Sequence, residues 1–153
     1  MPAWPAPAPP GALGLMTAVE IWPETFSRIA FWPVVGWLVL LGWVDARSGL
    51  LPNRLVLPGL AGLTVAAAAL APTALISGAV AAAPYLLGFH RGLCGGGDVK
   101  LAAACGLLLA DPLRILLAGF LAAAGTLMLC ALARRRSVPH GPVLAVATIL
   151  LLL

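Results

Sequence analysis

What most constrains this chain is a train of long apolar runs separated by only a few residues: about 26–44, 55–71, 73–89, 99–110, 113–133 and 143–153. An α-helix rises 1.5 Å per residue, so about 20 such residues cover the roughly 30 Å hydrocarbon core of a bilayer. No water reaches backbone amides there, and helices, which satisfy their own, are the economical way across. With 62% hydrophobic and 9% charged residues in 153, the chain has no length left for a large soluble domain beside the runs. The expected fold is all-α: a polytopic transmembrane bundle of about six helices over residues 26–153.

Prolines and glycines punctuate the runs. Residues 1–25 open with alternating Pro and Ala and no basic segment, a poor helix and a poor secretory signal. They are expected to form a disordered extension, with Met16 as an alternative start of translation. An interfacial helix over Thr17 to Ser27 would turn Glu20, Glu24 and Arg28 to water and Trp22 to the headgroups. Pro33 lies near the start of the first run and Pro58 in the first turn of the second, where a missing amide does least harm; Pro84 interrupts the third. Only Ala71-Pro72-Thr73 is left as a turn between runs two and three, which predicts a tight antiparallel hairpin. The fourth run is short, is expected to tilt or to borrow the preceding glycines, and ends at Asp111-Pro112; the sixth is too short to cross comfortably.

The charges sort by side. Arg47, Arg54, Arg91, Lys100 and Arg134 to Arg136 follow the odd-numbered runs, whereas Arg28 and Arg114 lie at the opposite ends. Basic connections stay in the cytoplasm, so the N-terminus is placed outside and the ends of runs one, three and five inside. The formal charge of +4 thus reports topology, with the lipid bilayer as partner and no nucleic acid. Arg134 to Arg136 read as a stop-transfer signal. Cys94, Cys105 and Cys130 form no Cys-x-x-Cys pair, so neither a zinc site nor a disulfide framework is indicated. They read as small apolar fillers, with Cys94 near His90 the one candidate for a reactive thiol.

Against this background two aspartates stand out, Asp45 at the end of the first run and Asp98 after Gly95-Gly96-Gly97. A carboxylate at the edge of hydrocarbon costs several kcal/mol unless paired or solvated. Because the intervening hairpin goes out and returns, both are expected at one face and one depth. Two carboxylates in a partly apolar site cannot both ionise easily, so they share a proton. One then acts as general base on water while its protonated partner polarises a carbonyl, and the roles exchange as the amine departs. The pair reads as the dyad of a membrane aspartic peptidase that uses no metal or cofactor. Gly95, Gly96 and Gly97 would let an extended peptide approach the main chain and let the loop close over it. Taken singly, such an Asp is more commonly a cap or salt-bridge partner, and three glycines are more commonly a plain loop. The shared side, the shared depth and the distinctive string around each Asp favour the dyad.

Those strings carry a resemblance to a known family. The segment from Asp45 through Leu51-Pro52-Asn53 resembles the first signature of bacterial prepilin peptidases, an Asp followed by an Ile-Pro-Asn-like triplet. Gly95-Gly96-Gly97-Asp98-Val99-Lys100 is similar to their second signature, Gly-x-Gly-Asp-x-Lys, shared in its core with other intramembrane aspartic peptidases. Pro139-His140-Gly141-Pro142 is similar to a third, Pro-aromatic-Gly-Pro, with His140 in the aromatic place. The resemblance covers about residues 30–150. It implies an aspartic endopeptidase, with Asp45 and Asp98 as catalytic pair, that removes the leader of a type IV-like prepilin or pseudopilin at the cytoplasmic face of the inner membrane. Long members carry a Cys-x-x-Cys domain that methylates the new N-terminus. Nothing in this sequence corresponds to it, so the implied branch is the short one associated with tight-adherence (Flp-type) pili, without N-methyltransferase activity.

Neighbouring residues carry smaller expectations. Pro52 and Asn53 should set a turn and cap the second helix through the Asn amide, and Gly141 and Pro142 should be structural. Lys100 is expected to hold a carboxylate, to position substrate or to snorkel. His90 and Arg91 read as interfacial, and Trp32, Trp37 and Trp43 as belt and packing residues. Two rival functions fit the sequence less well. A proton- or ion-coupled transporter needs an acid near mid-bilayer, and no acidic residue lies well inside a run. A non-catalytic pilus-assembly subunit is disfavoured by the presence of both aspartates.

Overall fold

The computed structural model describes residues 31–134 and 138–153, which form six helices. They are α1 Phe31–Ser48, α2 Asn53–Leu70, α3 Thr73–His90, α4 Gly96–Leu109, α5 Pro112–Ala133 and α6 Gly141–Leu152. The expected all-α bundle is therefore the fold. The N-terminal extension, its interfacial helix, and Arg135 and Arg136 lie outside the described residues. By length and composition α2, α3 and α5 can each cross a membrane, with mean hydropathies of 1.4, 1.3 and 2.3. Their outward faces match: Leu113, Leu116, Phe120 and Leu127 on α5 are all exposed, an arrangement suited to lipid and costly in water.

Of the two shortest helices, α4 lies innermost and α6 buries one face. α4 packs against α2, α3, α5 and α6, while α6 packs against α1, α4 and α5. Leu101, Ala102 and every residue from Ala104 to Leu109 are buried on α4, so it presents no continuous face to lipid. This explains how 14 residues suffice where a lipid-facing helix needs about 20. The expectation that the fourth run borrows glycines holds, because Gly96 and Gly97 form its first turn.

Small residues set the closest approach. A methyl group added at Gly106 would lie 2.6 Å from the Ser77 carbonyl oxygen and 2.8 Å from Gly78 Cα, so α3 and α4 meet backbone to backbone. Between membrane helices such packing, rather than hydrophobic transfer, supplies the attraction. The expected hairpin of runs two and three is tight only in its connection. α2 and α3 each pack more extensively on α4 than on one another, so α4 wedges them apart.

α1 continues a turn beyond its expected end, placing Asp45 inside the helix. Trp37 on α1 donates its indole N–H to the Leu55 carbonyl at 2.9 Å, and its ring fills the space that any side chain at Gly59 would need. Pro58 lies in the second turn of α2, because the helix starts at Asn53; lacking an amide, it cannot donate to the Arg54 carbonyl one turn back. At the far end, Ala110 adopts φ 50° and Asp111 Oδ1 accepts from the Leu113 amide at 2.8 Å, so the residue expected to end one helix also starts the next. Successive helices alternate in direction, which gathers the ends of α1, α3 and α5 with the starts of α2, α4 and α6.

Candidate active site

Asp45 is 5% exposed in the last turn of α1. Its Oδ2 accepts a hydrogen bond from the main-chain N–H of Gly141, the first residue of α6, at 3.2 Å. A methyl group on Gly141 would lie 2.5 Å from that oxygen, so the bond requires glycine. The start of a helix presents unpaired amides and the positive end of its dipole, which suits a carboxylate. Pro142 follows where a missing amide does no harm, and Gly42 makes room for it: a methyl there would stand 3.3 Å from Pro142 Cα.

Asp98 is half-buried in the first turn of α4. Its Oδ2 turns back to accept from the Gly95 amide at 3.0 Å, the acidic half of a capping box. This bond starts the helix at Gly96, so the three glycines are not one open loop; Gly95 alone remains extended, at φ −81° and ψ 154°. Gly97 takes the Leu51 side chain at a distance where a Cβ would lie only 2.6 Å away, and Gly96 faces the Phe89 ring. The glycines thus let the segment after α1 close onto the start of α4.

Neither carboxylate is held by a cation among the described residues. The only ion pair there is Asp111 with Arg114, 3.9 Å apart and exposed, which stabilises little. Arg47 lies 4.3 Å over the Trp43 ring instead. Lys100 donates to Asn53 Oδ1 at 2.5 Å, tying α4 to the first residue of α2. Residues two apart on a helix do not face each other, so Lys100 points away from Asp98. The expected amide cap on α2 is absent: Pro52 occupies the cap position without a side-chain bond, and the Asn53 oxygen is engaged by Lys100.

His140, whose role the sequence left open, is bonded at both ring nitrogens. Nε2 lies 2.8 Å from the Tyr85 hydroxyl on α3, and Nδ1 lies 2.8 Å from Thr126 Oγ1 on α5. Burial holds the imidazole below its ordinary range, opposed by the charges of Asp98 and Asp45; both carboxylates are therefore felt at this ring. Asp45 in the last turn of α1 and Asp98 in the first turn of α4 stand at the same end of the bundle. Sequence reasoning passed over Tyr85 and Thr126. The former is the chain's only tyrosine, a signal that was available; Thr126 gave none. Cys94 donates its thiol to the Tyr85 carbonyl at 3.1 Å rather than engaging His90, and burial raises it further from thiolate. His90 stacks beside Phe89, with ring centroids 6.0 Å apart. Tyr85, Cys94 and His140 form the polar end of an apolar cleft of about 470 Å³ between α3, α4 and α5.

Fold and site together define a helical membrane protein with two acidic side chains gathered at one end of its bundle. A family model described as the type IV leader peptidase family matches residues 32–133, and the chain belongs to that family. The match contains Asp45, Pro52, Asn53, Gly95, Gly96, Gly97, Asp98 and Lys100, and stops before His140, Gly141 and Pro142. Comparisons with curated proteins and with solved structures found no match.

Proposed function

We propose that this protein is a membrane aspartic endopeptidase that cleaves the leader from type IV-like (Flp-type) prepilins or pseudopilins at the cytoplasmic face of the inner membrane. The observation that carries the reading is Asp45, nearly excluded from solvent and engaged by a main-chain amide, at the same end of the bundle as Asp98 on another helix. Each carboxylate spends Oδ2 on a backbone N–H, which leaves Oδ1 to work on water or on the scissile carbonyl. One proton between the two then supports base and acid roles in turn.

Orientation rests on the charges. Arg47, Arg54, Arg91, Lys100 and Arg134 belong to the same end of the bundle as both aspartates, and Arg114 to the other; basic ends face the cytoplasm. The partners are a precursor protein and the bilayer. Methyl transfer to the new N-terminus is not part of this reading. The test is co-expression with a precursor whose basic leader precedes an apolar helix, scored by mobility on gels. Asp45→Asn and Asp98→Asn should each lower cleavage by about a hundredfold or more while inserting normally. Unimpaired cleavage by both variants would end the reading.

A further inference from the structure

Thr126 Oγ1 gives its hydrogen to the Ala122 carbonyl at 2.7 Å, so toward His140 Nδ1 it can only accept. Nδ1 therefore bears the imidazole proton, and Nε2 is left to accept from the Tyr85 hydroxyl. A single neutral tautomer satisfies the whole chain, from Tyr85 on α3 through His140 to Thr126 and Ala122 on α5. The ring is gripped from two helices at the residue immediately before α6. The next residue, Gly141, carries the amide that donates to Asp45.

We infer that His140 is a positioning residue for the aspartate pair: its bonds to Tyr85 and Thr126 fix the start of α6 so that the Gly141 amide stays on Asp45. The inference rests on the aspartic-peptidase reading above. At 3.2 Å the Gly141 bond is at the long end of the N–H···O range, so a small retreat of α6 would break it. A carboxylate stripped of its amide donor in an apolar site is harder to ionise. The groups facing His140 are Asp45 from α1, Tyr85 from α3 and Asp98 from α4, with Cys94 and Cys105 beyond Tyr85; α5 contributes the uncharged Thr126. Because the ring is neutral in this chain of bonds, its action is geometric, and loss of the bonds should be felt as a changed rate profile.

The experiment uses the full chain in detergent and a synthetic precursor with a basic leader ending in Gly before an apolar helix, assayed from about pH 5 to 9. His140→Phe keeps a ring against Tyr85 and loses both bonds. Its kcat should fall about tenfold with KM changed less than about twofold, and the acid limb should move up by about half a pH unit. Tyr85→Phe and Thr126→Val should shift the limb in the same direction by less. If Asp45→Asn cleaves like the wild type, the aspartate reading fails and takes this inference with it. If Asp45→Asn is inactive while folded His140→Phe keeps the wild-type kcat and profile, the inference alone is overturned. Should His140→Phe not fold, unchanged profiles in both Tyr85→Phe and Thr126→Val overturn it.

Discussion

The main-chain amide of Gly141 donates to Asp45 Oδ2 at 3.2 Å, joining the first turn of α6 to the last turn of α1 across 96 positions of sequence. A methyl group on Gly141 would stand 2.5 Å from that oxygen. Gly141→Ala must therefore push the carboxylate off its donor or move α6. We expect cleavage to fall at least about tenfold, the scale of one lost hydrogen bond to a charged group, with helix content by circular dichroism unchanged. Wild-type cleavage by Gly141→Ala would show that the amide bond is dispensable.

The α3–α4 contact depends on the missing side chain at Gly106, since a Cβ there would meet Ser77 O and Ala81 Cβ at 2.6 Å. Backbone cannot yield as a flexible side chain does. Gly106→Ala should destabilise the folded protein by about 1–3 kcal/mol, the usual cost of overpacking. Thermal unfolding in detergent measures it, and an unshifted midpoint would contradict the packing.

Lys100 and Asn53 hold α4 to α2 at the site end of the bundle. Asn53 is exposed and Lys100 half-buried, so the bond is partly screened and contributes little to stability. Lys100→Met should cost under about 1 kcal/mol. In a double-mutant cycle with Asn53→Ala the second substitution should add almost nothing, whereas full additivity would mean the two side chains act separately.

Stability should also fall with acid because of His140. Burial holds its imidazole below the ordinary range, so the folded chain takes up this proton less readily than the unfolded one. Above the unfolded value, about pH 6.5, both states are neutral and the full stability is present. As pH drops through that value the unfolded state is protonated first and stability declines, levelling off below the folded value. Melting temperatures of the wild type between about pH 5 and 8 should show the decline, and His140→Phe should flatten it. Equal pH dependence in the two proteins would assign the effect to other groups.

Much of this architecture was legible along the chain, because the length of an apolar run and the charges that end it are local properties. They determined an all-helical membrane bundle, the boundaries of most helices to within a few residues, and the end of the bundle to which Asp45 and Asp98 both belong. The strings around the aspartates carried the family. What local pattern could not convey was which helix lies inside: α4 and α6 read as poor spans because they are short, and only packing shows that neighbours cover α4 and one face of α6. Nor could it show that Asn53 accepts from Lys100 instead of capping α2, or that Tyr85 and Thr126 grip His140. Those bonds link residues 47, 55 and 14 positions apart. A hydrogen bond between side chains of different helices depends on how the helices are placed, and no periodicity along the chain encodes that placement.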